Sequence, residues 1–171
     1  MGKIAVLGLG ESLRLFGGDM VAIGVNDIWS KYKSDYVVCL DAKSRFDQKR
    51  LDIIESCAPI KFYSQLRCWE NKRTYEEIYL QIAYPKYVCQ LDTDKLPKSL
   101  CSPFVAAAIA YKYFKADEIH LFGVDMVDHP LLKGENLDKI ILHFSNLNAA
   151  LKQKGVKLVV HGNGVLQNVL Q

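Results

Sequence analysis

The sequence has no Cys-x-x-Cys pair, and its five cysteines, Cys39, Cys57, Cys68, Cys89 and Cys101, are odd in number. That argues against a zinc-ribbon site and a complete disulfide framework. We therefore expect reduced thiols in a cytoplasmic protein, with Cys39 and Cys89 on strands. No apolar run approaches the ~20 residues that cross a bilayer. The N-terminal run is only strand-length, meets Glu11 and Arg14 at once and lacks a small-residue cleavage pattern. Repeats, low-complexity stretches and Gly/Ser-rich linkers are also missing, so nothing marks a domain boundary. No His-x-x-x-His pattern or carboxylate-histidine cluster suggests a tight protein metal site. No Gly-x-Ser-x-Gly elbow suggests a serine hydrolase. Charge of one sign is scarce too: the net charge of +3 is spread along the chain, apart from clusters at Lys72-Arg73 and between Lys43 and Arg50. Nucleic acid is not an indicated partner.

What is present is enough apolar residue for one core: half of the 171 residues are hydrophobic. The expectation is a single Rossmann-like nucleotide-binding domain over 1–171. Apolar runs bounded by turn residues predict strands at Lys3 to Gly8, Met20 to Asn26, Asp35 to Asp41, Ile60 to Ser64, Glu118 to Gly123 and Val156 to His161. "IAVLG", "YVVCL" and "VKLVV" are apolar at successive positions, which suits parallel strands covered on both faces. Between them, Leu137, Ile140, Ile141, Phe144, Leu147 and Leu151 form a helical stripe ended by Gly155. Ser102-Pro103 precedes a second helix, with Ser as the expected N-cap and Pro at the first helical position. The alternation predicts an α/β fold: a doubly wound, mainly parallel sheet with helices on both faces. The stretch about 65–100, rich in Tyr and charge, is expected to be an irregular insertion over the sheet's edge or mouth. Its aromatics, Tyr75, Tyr79, Tyr84 and Tyr87 among them, could stack a base or form a small core.

In such sheets ligands sit at the carboxyl ends of the strands where strand order reverses. The candidates are therefore Gly8 to Ser12, Asn26-Asp27, Asp41, Gly123 to Asp125, and His161 to Gly164, Asn163 among them. "GLGESL" supplies a Gly-x-Gly turn between strand and helix, where backbone N–H groups and the helix N-terminus meet a phosphate, with the Ser12 hydroxyl as an added donor. It lacks the third glycine of the dinucleotide fingerprint and the Gly-Lys-Ser/Thr ending of a P-loop, so a tight turn without ligand is the competing reading. Asn26 and Asp27 stand where a ribose or base contact is expected, or cap a helix starting at Ile28. Asp41 faces the same cleft or caps a loop. Asp125 can accept from ribose hydroxyls or hold a substrate. His129, in a loop, and His143, on the flank of the long helix, are the candidate catalytic bases. His120 reads as a core histidine.

Taken together, "VLGLGESL", "AIGVNDIW", "VVCLD", "SPFVAAAIAYKYFKADEIHLFGVDM" and "VKLVVHGNGVLQNVL" resemble the Rossmann-type domain of bacterial sialyltransferases that use a CMP-activated sugar. Motility-associated glycosyltransferases and hydroxymethylpterin diphosphokinase-like proteins belong to the same group. The resemblance implies that Gly8, Gly10 and Ser12 lie at the nucleotide phosphates and that Asn26 contacts the nucleotide. It also places Ser102 near a phosphate and Asp125 at the ribose or sugar. Leu9 and Glu11 stand where that series has Asn and Pro, and the segment after Asp125 is shorter than the sialyltransferase lid. The expected function is binding of a nucleotide or nucleotide-sugar, CMP-sugar favoured, with glycosyl transfer to a glycan-type acceptor. The alternatives are magnesium-dependent phosphoryl transfer, with Asp27, Asp41 and Asp125 as ligands, and a non-catalytic binding protein of the same fold. Whether identical chains assemble into a homo-oligomer is left open by the sequence.

Overall fold

The computed structural model describes residues 2–81, 89–127 and 133–170. Seven parallel strands form the main sheet: β1 (Lys3–Leu7), β2 (Val21–Val25), β3 (Tyr36–Val38), β4 (Lys61–Ser64), β5 (Tyr75–Glu77), β8 (Glu118–Phe122) and β9 (Lys157–Val160). Their order is β5-β4-β3-β2-β1-β8-β9. The chain thus winds outward from β1 to β5, then returns to lay β8 and β9 on the other side of β1. Val6 pairs with Ile23 on one side and with Leu121 on the other. Two short strands, β6 (Leu80–Gln81) and β7 (Leu96–Pro97), pair separately. The expected doubly wound α/β architecture is therefore present, with strand order reversing between β1 and β8.

Alternate residues of each strand feed two apolar layers. Ile4, Val6, Ile23, Ile119 and Leu121 face α2 (Ser102–Lys112), α3 (Glu135–Gln153) and α4 (Val165–Leu170). Ala5, Leu7, Ala22, Val37 and Phe122 face α1 (Gln48–Ser56) and the short 3₁₀ turns. Both faces of β1 and β2 are covered, which is why their sequences carry no polar side chain after Lys3, the exposed first residue of β1. The alanines of α2 (Ala106, Ala107, Ala108, Ala110) are fully buried, and their small side chains let the helix lie close beneath the central strands. α3 carries the expected stripe inward, and Gly155 follows its end with φ +72°. α2 begins one residue earlier than expected: Cys101 is its N-cap, Ser102 is its first residue, and neither side chain supplies a cap hydrogen bond.

Pairing continues slightly past β3, where the Cys39 N–H donates to the Tyr63 carbonyl at 3.0 Å, and Asp41 is already exposed. Within the expected insertion, Tyr75–Glu77 adds β5 to the sheet's edge beside β4. Trp69 there is fully buried, packs on Phe62 with ring centroids 5.4 Å apart, and donates its indole N–H to the Asp41 carbonyl at 3.0 Å. Tyr84 and Tyr87 lie outside the described residues. Lys72, nearly buried, donates to the carbonyls of Ile54, Glu55 and Cys57 at 2.8, 3.0 and 2.9 Å, and so closes the C-terminal end of α1. All five cysteines are unpaired thiols. Among the described residues no helix is long and apolar enough to cross a membrane.

Candidate functional site

The turns that leave β1 and β8 meet where the strand order reverses, which is where open α/β sheets place their ligands. They are joined by backbone hydrogen bonds: the Gly8 N–H donates to the Phe122 carbonyl at 2.7 Å, and the Gly10 N–H to the Gly123 carbonyl at 2.8 Å. Gly8 and Gly123 are in near backbone contact, so a Cβ on Gly8 would lie 2.9 Å from the Gly123 carbonyl carbon. Glycine is needed here for close approach, and at Gly123 also because φ is +66°. Ser12 and Asp125 then lock the pair of turns. The Ser12 N–H donates to Asp125 Oδ2 at 2.9 Å, and Ser12 Oγ accepts from the Gly123 N–H at 2.8 Å.

The turn after β9 closes over the same carboxylate. A Cβ on Gly162 would lie 3.0 Å from Ser12 Oγ and 3.1 Å from Asp125 Oδ1, and one on Gly164 would lie 2.6 Å from Asp125 Cα. The structure therefore brings together Gly8, Gly10, Ser12 and Asp125 of the expected set, and adds Gly162 and Gly164. Asn163, between those two glycines, is exposed. Four amides of "GLGESL", those of Gly8, Gly10, Ser12 and Leu13, are committed to protein acceptors. The remaining N–H groups of the turn, those of Leu9 and Glu11, donate to no acceptor among the described residues.

Two buried oxygens in this region lack a hydrogen-bond partner: Asp125 Oδ1 and Asn26 Oδ1. Asn26 leaves β2 with φ +52°, a conformation asparagine tolerates better than most residues, and its N–H donates to the Val38 carbonyl at 3.0 Å. An unpaired buried acceptor is costly, so each of these oxygens needs a donor that the described residues do not supply.

The other expected site residues have different surroundings. Asp27 is the N-cap of the Ile28–Ser30 turn without a side-chain cap bond; its buried carboxylate instead pairs with Arg50 of α1 at 2.6 Å. Asp41 is exposed beyond β3. Ser102 is buried at the N-terminus of α2. Among the described residues no three His, Cys, Asp or Glu side chains are gathered to hold a metal ion. Half-buried His143, in α3, has its Nδ1 2.9 Å from Ser99 Oγ and its ring tilted on Phe104, and burial lowers its pKa. His129 lies outside the described residues.

A further pair of histidines was legible only as the end of a strand and the middle of another. His120 on β8 is buried, and its Nδ1 lies 2.9 Å from Nε2 of His161, the residue after β9. The sequence signal for His161 was its place at a strand's carboxyl end, in "HGNG".

No protein-family model matches the chain, and no curated protein matches it. Solved structures of a sialyltransferase do. CstII from Campylobacter jejuni, in complex with the substrate analogue cytidine-5'-monophosphate, superposes with a TM-score of 0.60 at 13% identity, over 99% of this chain and 84% of that one. A point mutant of the alpha-2,3/8-sialyltransferase CstII gives 0.59 at 15% identity, over 98% and 85%. The chain has the sialyltransferase-like α/β fold, and at these identities the likeness is one of fold.

Proposed function

We propose that the protein binds a nucleotide-sugar of the CMP type at the carboxyl ends of β1, β2 and β8 and transfers its glycosyl group to an acceptor hydroxyl. The observation that carries this reading is the two buried, unpartnered oxygens, Asn26 Oδ1 and Asp125 Oδ1, which follow β2 and β8, the strands on either side of β1. A nucleoside offers the donors they lack: ribose hydroxyls for the carboxylate and an exocyclic amine or hydroxyl for the amide. The uncommitted amides of Leu9 and Glu11 and the N-terminus of α2 at Ser102 supply positive ends for phosphate oxygens. The fold shared with a CMP-bound sialyltransferase favours cytidine.

Thermal unfolding against CMP, UDP, GDP, ATP and NAD, with and without magnesium, tests the reading. A ligand at about a hundred times its Kd adds about 2.7 kcal/mol, a rise of about 5–11 °C for a chain of this size. The expected result is a rise with CMP that magnesium does not change. Asn26→Gly keeps the positive-φ backbone and removes the amide, so it should weaken CMP about tenfold while leaving the unliganded Tm within a few degrees. No rise with any nucleotide overturns the proposal, and a rise only with ATP and magnesium would favour phosphoryl transfer.

A further inference from the structure

Ionisable side chains line the face of β8 and β9 opposite α2. Glu118, His120 and Phe122 alternate along β8, and His161 continues β9 beside them through its N–H bond to the Leu121 carbonyl at 3.0 Å. The His161 imidazole lies flat on Phe122, with centroids 4.0 Å and planes 7° apart. Its Nε2 meets His120 Nδ1 at 2.9 Å, and His120 Nε2 meets Glu118 Oε2 at 3.0 Å. Lys3 Nζ, from β1, stands 3.2 Å from the same carboxylate oxygen.

The order of these contacts assigns the protons. Hydrogen bonds from His120 and Lys3 hold the Glu118 carboxyl below its usual range, so it is an acceptor. His120 therefore donates from Nε2, which leaves its Nδ1 as the acceptor towards His161. His161 must then donate to it from Nε2, which leaves the lone pair of a neutral His161 on Nδ1. Burial, with His120 as a lesser cause, lowers the His161 pKa and keeps it neutral at pH 7. Among the described residues Nδ1 has no hydrogen-bond partner. The next residue, Gly162, packs on Ser12 and Asp125, so this chain of groups ends one residue from the unpartnered carboxylate oxygen.

We propose that His161 is the general base of this centre, and that His120 and Glu118 are positioning residues that fix its tautomer. The assignment rests on the nucleotide-sugar reading above. Nδ1 of His161 takes the acceptor hydroxyl proton while the acceptor oxygen bonds to the anomeric carbon. The bond from that carbon to the phosphate oxygen breaks, and its electron pair leaves on the nucleotide. Glu118 stabilises the resulting imidazolium through His120 until its proton passes to water.

Three measurements test this. In the unliganded protein at pH 7.5, long-range ¹⁵N–¹H spectra should show both His120 and His161 protonated at Nε2; an Nδ1–H tautomer at His161 overturns the assignment. His161→Gln should lower kcat for transfer from a CMP-sugar by about 10²–10⁴-fold while CMP affinity measured by calorimetry stays within about twofold. Full kcat in that variant overturns the base. Glu118→Gln should lower kcat several-fold and move the acidic limb of the pH profile to lower pH, because a less stabilised imidazolium has a lower pKa; an unmoved limb overturns the positioning role. Failure of the wild-type protein to bind CMP would remove the nucleotide reading and the base with it, while the spectra still decide whether the tautomers are as assigned.

Discussion

Replacing Gly10 by alanine separates two accounts of the glycine turn. A Cβ at Gly10 would stand 3.1 Å from Asp125 Cγ and 2.8 Å from the Gly123 carbonyl oxygen, and closer still to Asp125 Oδ2. Gly10 has φ −69° and ψ 177°, ordinary extended backbone, so the substitution brings no dihedral strain and its whole cost is steric. The two oxygens it meets are acceptors, one for the Ser12 N–H at 2.9 Å and the other for the Gly10 N–H at 2.8 Å. Forcing them apart weakens one hydrogen bond to a charged acceptor, about 1.5–3 kcal/mol, and one neutral bond, about 1 kcal/mol. The reduced freedom of the unfolded chain returns about 0.4–1 kcal/mol. The net loss is about 2–3 kcal/mol, a fall in Tm of about 5–10 °C. Gly17→Ala is the matched control, because only Asp19 Oδ1, at 3.9 Å, lies within reach of its new methyl group. Calorimetric unfolding of both variants decides the matter. In an Asp125→Ala background the Gly10→Ala penalty should shrink, since the worst contact is gone. A Gly10→Ala protein as stable as Gly17→Ala would refute the packing argument and leave room for a ligand as the reason for the glycine.

Two other expectations bear on stability. Lys72→Met should cost about 2–4 kcal/mol by urea unfolding, because it leaves the carbonyls of Ile54, Glu55 and Cys57 without their buried donor; a loss under about 0.5 kcal/mol would contradict the cap. Burial lowers the pKa of His143 and of His161 from the ordinary 6.5, so the unfolded chain takes up protons first on acidification. Stability should be full above about pH 6.5 and fall below it, until the lower folded values are passed; a Tm that stays flat or rises from pH 7 to 5.5 would show that these histidines are not held neutral.

The architecture was readable because its signals are local and strong. "IAVL" and "VAIGV" are apolar throughout, as strands covered on both faces must be, and the stripe from Leu137 to Leu151 repeats at the helical period. β5, "YEE", was not readable: it is three half-buried residues at a sheet edge, held by pairing with β4 and not by an apolar pattern of its own. β6 and β7 are two residues each and define themselves only by meeting.

At the site, the sequence placed Gly8, Gly10, Ser12, Asn26 and Asp125 at strand ends, and a parallel sheet brings such ends to one edge. It could not tell what each would touch. Asp27 and Asn26 are neighbours with the same prospects in sequence, yet one carboxylate is taken by Arg50, 23 residues away, while the other side chain keeps a buried oxygen unpaired. Likewise nothing local links His161 to Glu118 and His120, which share one face of β8. By itself the sequence determined the strands, the helices and the edge on which chemistry is placed, because those follow from periodicity and from the glycines and polar residues that end each run. Only the tertiary structure decided which amides are already spent, which carboxylate is neutralised and which imidazole presents a lone pair. Those depend on contacts between residues as much as 113 apart, as in the Ser12–Asp125 bond, and distance in space is not written in spacing along the chain.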